Sequence, residues 1–187
     1  MLRHATIIIW TLLLTLLVGP HPARAQENRA SEYRVKAAFL LSFGKFVEWP
    51  ASAFAGTNAP LVIGVVGRDP FHGDLERIVE GRQISGHPLV IRQIAASSEL
   101  KECHLLFISA SEKPRLKDHL RAVQGASVLT VSETDQFLKA GGIINFVVEN
   151  EKIRFEINDA AANQVRLKIS SKLLALARKS LAKAAPR

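Results

Sequence analysis

One segment of the chain combines a strand, a glycine and a cation in the order that many anion-binding loops use. Gly64-Val-Val-Gly67-Arg68-Asp69-Pro70 runs from an apolar strand through Gly67 and Arg68 towards a helix N-terminus. Backbone N–H groups and the positive end of a helix dipole hold anions in such a geometry. The segment contains neither G-x-G-x-x-G nor G-x-x-x-x-G-K-[ST], so an ordinary strand-to-helix turn is favoured. A small anionic ligand, if one binds, is expected at this loop and at Arg68.

The residue types that support catalysis or metal binding lack the spacing that either requires. The histidines after residue 25 form neither an i, i+4 pair nor an H-E-x-x-H motif, so the sequence predicts no metal site and no cofactor. Neither a G-x-S-x-G motif nor a cysteine with an evident histidine partner is present. The sequence therefore predicts no catalytic residue and no enzyme. The histidines concerned are His72, His87, His104 and His119.

Cys103 is the single cysteine of the chain, so no disulfide can form within it. It begins an apolar run, where a free thiol behaves as a small buried hydrophobe. The next residue, His104, is expected to point to the opposite face of the strand. A nucleophilic thiol and an intermolecular disulfide remain the alternatives, although nothing nearby is expected to lower the pKa of the thiol.

Downstream of residue 60, short apolar strands alternate with amphipathic helices, which is typical of a parallel α/β sheet. Apolar runs predict strands at 61–66, 88–94, 105–108 and 127–131. Helices are predicted from Asp69-Pro70 to Gly81, after Ser111, and from the capping-box variant Ser132-Glu-Thr-Asp135 through Leu138.

The last part of the chain changes to strict alternation. Apolar and polar residues alternate in 152–157, which with 143–148 flanks a turn at Asn150-Glu151, and this predicts an antiparallel hairpin. A strand at 165–169 and a helix capped by Ser170 or the next serine follow. We therefore expect an α/β fold, a three-layer α/β/α sandwich with a mostly parallel sheet and an antiparallel C-terminal hairpin at its edge.

An aromatic-rich helix is predicted at 32–50, ending at Trp49-Pro50. A stripe at helical spacing favours packing against the core, while contact with a partner is the alternative, because Trp and Phe are also residues that anchor protein interfaces. The stripe consists of Val35, Phe39, Phe43 and Phe46.

The first residues have the pattern of a secretory signal. A basic start precedes an apolar run at 5–18, and Ala23-Arg24-Ala25 supplies a small-x-small cleavage site. We expect residues 1–25 to be a cleaved signal peptide and 26–187 to form one domain of a periplasmic protein. An uncleaved anchor is disfavoured, because the run is shorter than the roughly 18 to 20 apolar residues that span a bilayer.

Cleavage would remove Arg3 and Arg24, so 25 basic side chains become 23 against 17 acidic ones, and the net charge falls from +8 to about +6. This balance favours anionic ligands, lipid head groups or acidic protein faces. Nucleic acid is not an expected partner, because the chain has no basic stripe interleaved with aromatic residues.

Several separated blocks of sequence together carry a resemblance to one family of exported proteins. They occur in the family's order along nearly the whole chain after the signal, and together they are far more specific than any one alone. The blocks are Glu32-Tyr-Arg-Val-Lys-Ala-Ala-Phe-Leu, Phe43-x-Lys-Phe-Val-x-Trp-Pro50, Cys103-His-Leu-Leu-Phe-Ile108, Gly141-Gly-Ile-Ile-x-Phe146, Ile153-Arg-Phe-Glu-Ile-Asn158 and Leu167-x-Ile-Ser-Ser-Lys-Leu-Leu174.

These blocks resemble the YfiR family. The resemblance implies a periplasmic α/β protein, often a homodimer, that represses an inner-membrane diguanylate cyclase through the cyclase's periplasmic domain. An outer-membrane lipoprotein can relieve this repression in the family, and cyclic di-GMP then controls biofilm formation. A periplasmic small-ligand sensor or solute-binding module is the alternative function. Family members can carry stabilising disulfides, and the lone Cys103 departs from that pattern.

The resemblance also suggests site residues. Phe39, Phe43 and Trp49 of the opening helix match family positions and are the expected partner-binding residues. The expected ligand-binding residues combine the loop cation with a cluster near the last strand, where small ligands are plausible in the family: Arg68, Arg166, Lys168 and Ser170.

Overall fold

The computed structural model describes residues 22–178, and the side chains from residue 28 onwards. The chain divides into two units, residues 1–32 and residues 33–187. In the first unit, the described residues form the beginning of a helix. The fold below is that of the second unit. Most of the predicted signal peptide and the end of the predicted final helix lie outside the described residues.

Helices and strands alternate along most of the described chain. The helices are α1 (Pro22–Phe46), α2 (Asp74–Val79), α3 (Leu116–Ala122), α4 (Asp159–Gln164) and α5 (Ser171–Leu176). The strands are β1 (Val47–Glu48), β2 (Leu61–Val66), β3 (Gln83–Ile84), β4 (His87–Ile94), β5 (Leu105–Ile108), β6 (Leu129–Ser132), β7 (Ile144–Glu149), β8 (Lys152–Ile157) and β9 (Lys168–Ile169). Short 3₁₀ helices occupy Ala51–Ala53, Ser97–Glu102 and Ala110–Arg115.

A seven-stranded sheet in the order β3-β4-β2-β5-β6-β7-β8 forms the centre of the fold. Strands β4, β2, β5, β6 and β7 are parallel, whereas β8 runs antiparallel to β7 and β3 antiparallel to β4. Asn150 and Glu151 connect β7 to β8 with φ values of 50° and 60°, as a two-residue hairpin turn requires. The predicted α/β fold with a mostly parallel sheet and a C-terminal hairpin is confirmed.

The central strands β2 and β5 are buried along their whole length because both faces of the sheet are covered. Ile63 and Val65 of β2 belong to the core on the α1 face, and Val62 and Val66 belong to a second core that includes residues of α3. Alternation along an extended strand thus produces the three layers.

Helix α1 buries a different face from the one that the predicted stripe occupies. Val35 is 42% exposed, whereas Phe43 is fully buried and Phe39 is half-buried. Residues four apart on an α-helix are offset by about 40° around its axis, so a stripe at that spacing rotates from solvent to core along the helix. The prediction of Val35 as a core residue is wrong. The helix also ends at Phe46 rather than at Trp49, because β1 leaves it to pair antiparallel with β9.

Three predicted elements differ from the structure. The helix expected at Asp69-Pro70 begins only at Asp74, because the Asp69 carboxylate accepts the N–H of Phe71 and holds a turn instead. The segment after Ser132 forms turns and no helix, since Ser132 Oγ donates to the Ile108 carbonyl oxygen and accepts the Thr134 N–H. Helix α4 was not expected, and the strand predicted at 165–169 is reduced to β9.

A substitution at Gly142 tests how tightly the turn before β7 is packed. A Cβ added there would overlap the ring of Phe137, which is fully buried in the second core. We expect Gly142→Ala to lower the free energy of unfolding by about 1–3 kcal/mol, because overpacking forces the ring to move. Urea denaturation measures the change. Gly56→Ala is the matched control, because a Cβ at Gly56 meets nothing within 4 Å; an equal loss in the two variants would contradict the prediction.

Candidate functional site

The loop after β2, the expected place for a small anionic ligand if one binds, is closed by internal hydrogen bonds. The Arg68 N–H donates to Ser111 Oγ at 2.9 Å, and the Gly67 carbonyl oxygen accepts from the Gln93 side chain at 2.6 Å. Gly67 has a φ of 88°, and a Cβ there would meet the side chains of Ser111 and Glu112. The Arg68 side chain is exposed. The loop is therefore packed against the segment after β5, and a ligand role for Arg68 stays a prediction.

A small cavity of about 150 Å³ adjoins this loop and holds a buried carboxylate. Glu112 Oε2 lies 2.7 Å from His119 Nε2 and 2.7 Å from an Arg115 nitrogen, and both Glu112 and His119 are buried. The hydrogen bond from His119 holds the pKa of Glu112 below its ordinary value near 4.5, with help from Arg115 and against the effect of burial. A charged carboxylate in the lining disfavours an anionic occupant.

The other predicted ligand-binding residues lie in and around the two-stranded sheet. Lys168 pairs with Glu48 across β9 and β1, and its side chain is exposed. Arg166 is exposed in a turn at φ 62°. The Ser170 hydroxyl accepts the Leu173 N–H at 3.2 Å and so caps α5. Within residues 28–178, no hydrogen bond or ion pair joins Arg68 to these residues.

A buried ion pair fixes α1 to the end of β6. Lys36, only 2% exposed, forms a salt bridge with Glu133, which follows β6 directly. Glu133 also accepts the Tyr33 hydroxyl at 2.8 Å, and the Lys36 ammonium lies 4.5 Å from the centre of the Tyr33 ring. Neither Lys36 nor Glu133 was a predicted site residue. Lys36 is spaced to share a helix face with Leu40, which was a usable signal. Its partner lies 97 residues away, where no sequence pattern points to it.

The aromatic residues of α1 form a cluster with the hairpin. Phe43 stacks on Phe146 with ring centres 5.6 Å apart and meets Phe155 edge to face at 5.1 Å. Phe39 lies 5.5 Å from Phe155 and 6.1 Å from Phe146. Phe43 has no exposed surface. It can influence a partner only by positioning its neighbours, whereas Phe39 is half-buried and retains an accessible edge.

His104 joins several segments at the amino ends of the strands. Its Nδ1 accepts the Val62 N–H at 3.1 Å, which leaves Nε2 to donate to the Ala53 carbonyl oxygen at 3.1 Å. Its own carbonyl oxygen accepts the Trp49 indole N–H, also at 3.1 Å. Phe54 stacks on the imidazole with ring centres 4.4 Å apart. The indole N–H of the half-buried Trp49 is thus used in a hydrogen bond inside the protein. A role for Trp49 at a partner interface stays a prediction.

Burial shapes the protonation of two neighbouring residues in the Cys103-His104 block. It lowers the pKa of His104 below its ordinary value near 6.5, against the opposing effect of the hydrogen bond to Ala53. It raises the pKa of the Cys103 thiol to about 11, so this thiol stays protonated at neutral pH and is poorly suited to nucleophilic attack.

Within residues 22–178, no group of three or more His, Cys, Asp or Glu side chains is placed to hold a metal ion. Over the same residues, no helix has the length and hydropathy of a membrane span. Of the buried charged residues described above, Lys36 is paired with Glu133, and Glu112 is paired with His119 and Arg115. This arrangement is suited to holding a rigid surface.

Comparison with known proteins finds one family. The sequence profile of the family described as DUF4154, YfiR/HmsC-like, matches residues 33–178. No curated protein matches the chain. A similar solved structure is titled "Crystal structure of conserved domain protein from vibrio cholerae o1 biovar eltor str. n16961", with 14% identity and a TM-score of 0.45. The match covers 63% of this chain and 53% of that chain, so this chain spans about half the length of that structure.

The Lys36–Glu133 pair predicts a strong and non-additive effect on stability. Glu133→Gln removes the negative charge that forms a salt bridge with the buried Lys36 ammonium, so we expect it to cost about 3 kcal/mol of unfolding free energy. Lys36→Met combined with Glu133→Gln should cost less than the sum of the single changes. Urea denaturation of the full double-mutant cycle measures this coupling.

The control for this cycle is the Lys113–Asp135 pair, whose side chains are 63% and 85% exposed. Lys113→Met should change stability by less than about 0.5 kcal/mol, because exposed pairs contribute little. Additive effects of the Lys36 and Glu133 substitutions would show that the two charges do not support each other.

His104 predicts a pH dependence of stability. The unfolded histidine takes up a proton near pH 6.5, whereas the folded one resists it, so the unfolded state binds more protons as the pH falls. We expect the stabilisation to be complete above pH 6.5 and to be lost progressively below it. The slope from His104 is at most about 1.4 kcal/mol per pH unit. Denaturant unfolding between pH 5 and pH 7.5, above the range in which carboxylates titrate, measures it.

Two variants separate His104 from the other histidines. His104→Gln should flatten the curve in this pH range, although its stability at pH 7.5 will also be lower. His72→Asn changes an exposed histidine with a φ of 50°, a conformation that Asn tolerates, and should keep the wild-type slope. A wild-type slope in His104→Gln would rule out His104 as the cause.

Proposed function

The chain belongs to the YfiR/HmsC-like family, and from this membership we propose that it binds the periplasmic domain of an inner-membrane diguanylate cyclase and represses the enzyme. At the level of the family, membership implies a periplasmic regulator of a diguanylate cyclase. The observation that carries the proposal is the family match over residues 33–178, which includes every element of the central sheet. Repression lowers cyclic di-GMP and, with it, biofilm formation.

The motif residues direct their polar groups into the protein, and this supports a binding role over a catalytic one. Lys36, Trp49 and His104 come from the blocks that resemble the family, and each directs its polar groups into the protein. Such residues hold elements in fixed positions. A protein that acts by presenting a rigid surface has this requirement, since little ordering entropy is then lost on binding.

We assign partner contact to exposed apolar residues of α1 and of the hairpin. Val148 is 60% exposed and lies two residues beyond Phe146, on the same face of β7. Val35 is 42% exposed and lies one helical turn before Phe39. Phe39 contacts Phe146 and Phe155, so each valine lies, along its own helix or strand, next to a member of one aromatic cluster. We name the exposed residues Val35, Phe39 and Val148 the α1–hairpin patch.

The position of the α1–hairpin patch follows from the direction of the elements. Lys36 contacts Glu133 at the carboxyl end of β6, and β7 is parallel to β6. Val35 and Val148 therefore both lie towards the carboxyl end of the sheet. Exposed apolar residues beside a buried aromatic cluster are typical of protein interfaces. The proposal keeps Phe39 as a direct contact and gives Phe43 a positioning role.

Further parts of the proposal come from the family and, for export, from the signal pattern of residues 1–25. They are a homodimeric state, relief of repression by an outer-membrane lipoprotein, and export to the periplasm after removal of residues 1–25. A small-ligand sensor is the alternative function. The observation that favours it is a groove of about 580 Å³ at the amino ends of β6 and β7.

The α1–hairpin patch predicts which substitutions release the cyclase. Val148→Glu and Val35→Glu place a charge where the partner would bury an apolar side chain, so each should weaken binding to the purified periplasmic cyclase domain by at least about tenfold. In cells, both variants should raise cyclic di-GMP towards the level of a deletion strain. Biolayer interferometry and nucleotide quantification by mass spectrometry measure the two effects.

Val90→Glu is the matched control, because Val90 is a 38% exposed valine on β4, at the other side of the sheet. It should bind the cyclase as the wild type does. Unchanged cyclic di-GMP on deletion, in a strain that expresses the cyclase encoded nearby, would contradict the function itself. Equal weakening by all three substitutions would contradict only the assigned surface.

A further inference from the structure

A groove of about 580 Å³ lies between α3 and α4. Val128 and Ile143, which immediately precede β6 and β7, line it together with Leu120 of α3 and Val165 at the end of α4. Val128 and Ile143 are 2% exposed and belong to opposite cores. The groove is a recess at the amino ends of the strands with a mixed polar and apolar lining, in the size range of small-molecule pockets.

The polar side of the groove is cationic. Lys117 and Arg121, one helical turn apart on α3, are both exposed and both line it. Arg121 forms an exposed ion pair with Asp118 at 3.1 Å, a contact that contributes little in water and can be exchanged. Among the described residues that line the groove, none is Asp or Glu. The cavity beside Glu112 differs in this respect, because a buried carboxylate lies in its lining.

Two glycines leave the mouth of the groove open. Gly125 and Gly141 line it with φ values of 76° and 100°, a conformation that L-residues rarely adopt. A Cβ placed at either would meet nothing within 4 Å. The space beside both glycines is therefore open, and a ligand can approach the backbone closely there.

We propose that this groove binds a small amphipathic carboxylate, with its apolar body on the floor formed by the half-buried Leu120 and Val165 and its carboxylate at Lys117 and Arg121. An apolar floor contributes affinity by removing hydrocarbon surface from water, and two adjacent cations supply charge-assisted hydrogen bonds that orient the carboxylate. The groove shares no residue with the α1–hairpin patch. The inference therefore does not rest on the regulation of a cyclase.

Charge argues against the chain's own C-terminal segment as the occupant. Residues 179–187 contain Lys179, Lys183 and Arg187 and no acidic side chain, so a cationic groove would repel most of that segment. A small anion with an apolar body satisfies both the floor and the rim.

Isothermal titration of the purified protein with phenylacetate tests the proposal. We expect a dissociation constant below about 1 mM, and binding at least about fivefold weaker for the neutral phenylacetamide, because the amide cannot use the two cations. The double variant Lys117→Gln with Arg121→Gln should weaken phenylacetate binding by about fivefold to tenfold. Both positions are exposed, so the fold should persist, and circular dichroism checks this.

The control is Arg82→Gln with Lys101→Gln, which removes the same charge from exposed positions outside the groove and should bind like the wild type. Location is read from amide chemical shifts, where Gly125 and Gly141 should move on addition of phenylacetate. No binding up to about 10 mM, equal binding by Lys117→Gln with Arg121→Gln, or shifts confined to another surface would each overturn the proposal.

Discussion

Lys36 brings a positive charge into the interface between α1 and the sheet, and the docking of α1 depends on that charge meeting Glu133. An unpaired buried ammonium costs several kcal/mol, so α1 cannot rotate or slide without losing this contact. Within that constraint Phe43 stacks on Phe146 and covers the hairpin. The other end of the helix is held where Trp49 donates to the His104 carbonyl oxygen.

Both ends of α1 are held by such contacts. Residues whose side chains could support catalysis or ligand binding are therefore used to hold the fold together. His104 accepts and donates hydrogen bonds within the protein, and Glu112 is held charged by His119. Buried polar groups need hydrogen-bond partners, which backbone groups supply for the His104 ring and the side chains of His119 and Arg115 supply for Glu112. Chemistry directed outwards is left to exposed residues, such as the α1–hairpin patch and the cations of α3.

Elements set by local patterns could be predicted from the sequence, and elements set by distant contacts could not. Leu61–Val66 and Leu105–Ile108 have the predicted bounds, because apolar runs of that length need burial on both faces. The helix expected at Asp69 starts later because one side-chain hydrogen bond favours a turn. The prediction that the α1 stripe is buried was wrong at Val35, because residues four apart on a helix are rotated around its axis.

By itself, the sequence determined the fold class, the alternating order of strands and helices, and the blocks that place the chain in its family. These follow from hydrophobic periodicity and turn residues, which act between neighbours along the chain. Only the tertiary structure decided that Lys36 meets Glu133, that His104 is held neutral by burial, and that a groove lies between α3 and α4. Each of these depends on side chains far apart in sequence, which only the closure of the sheet and its helices brings together.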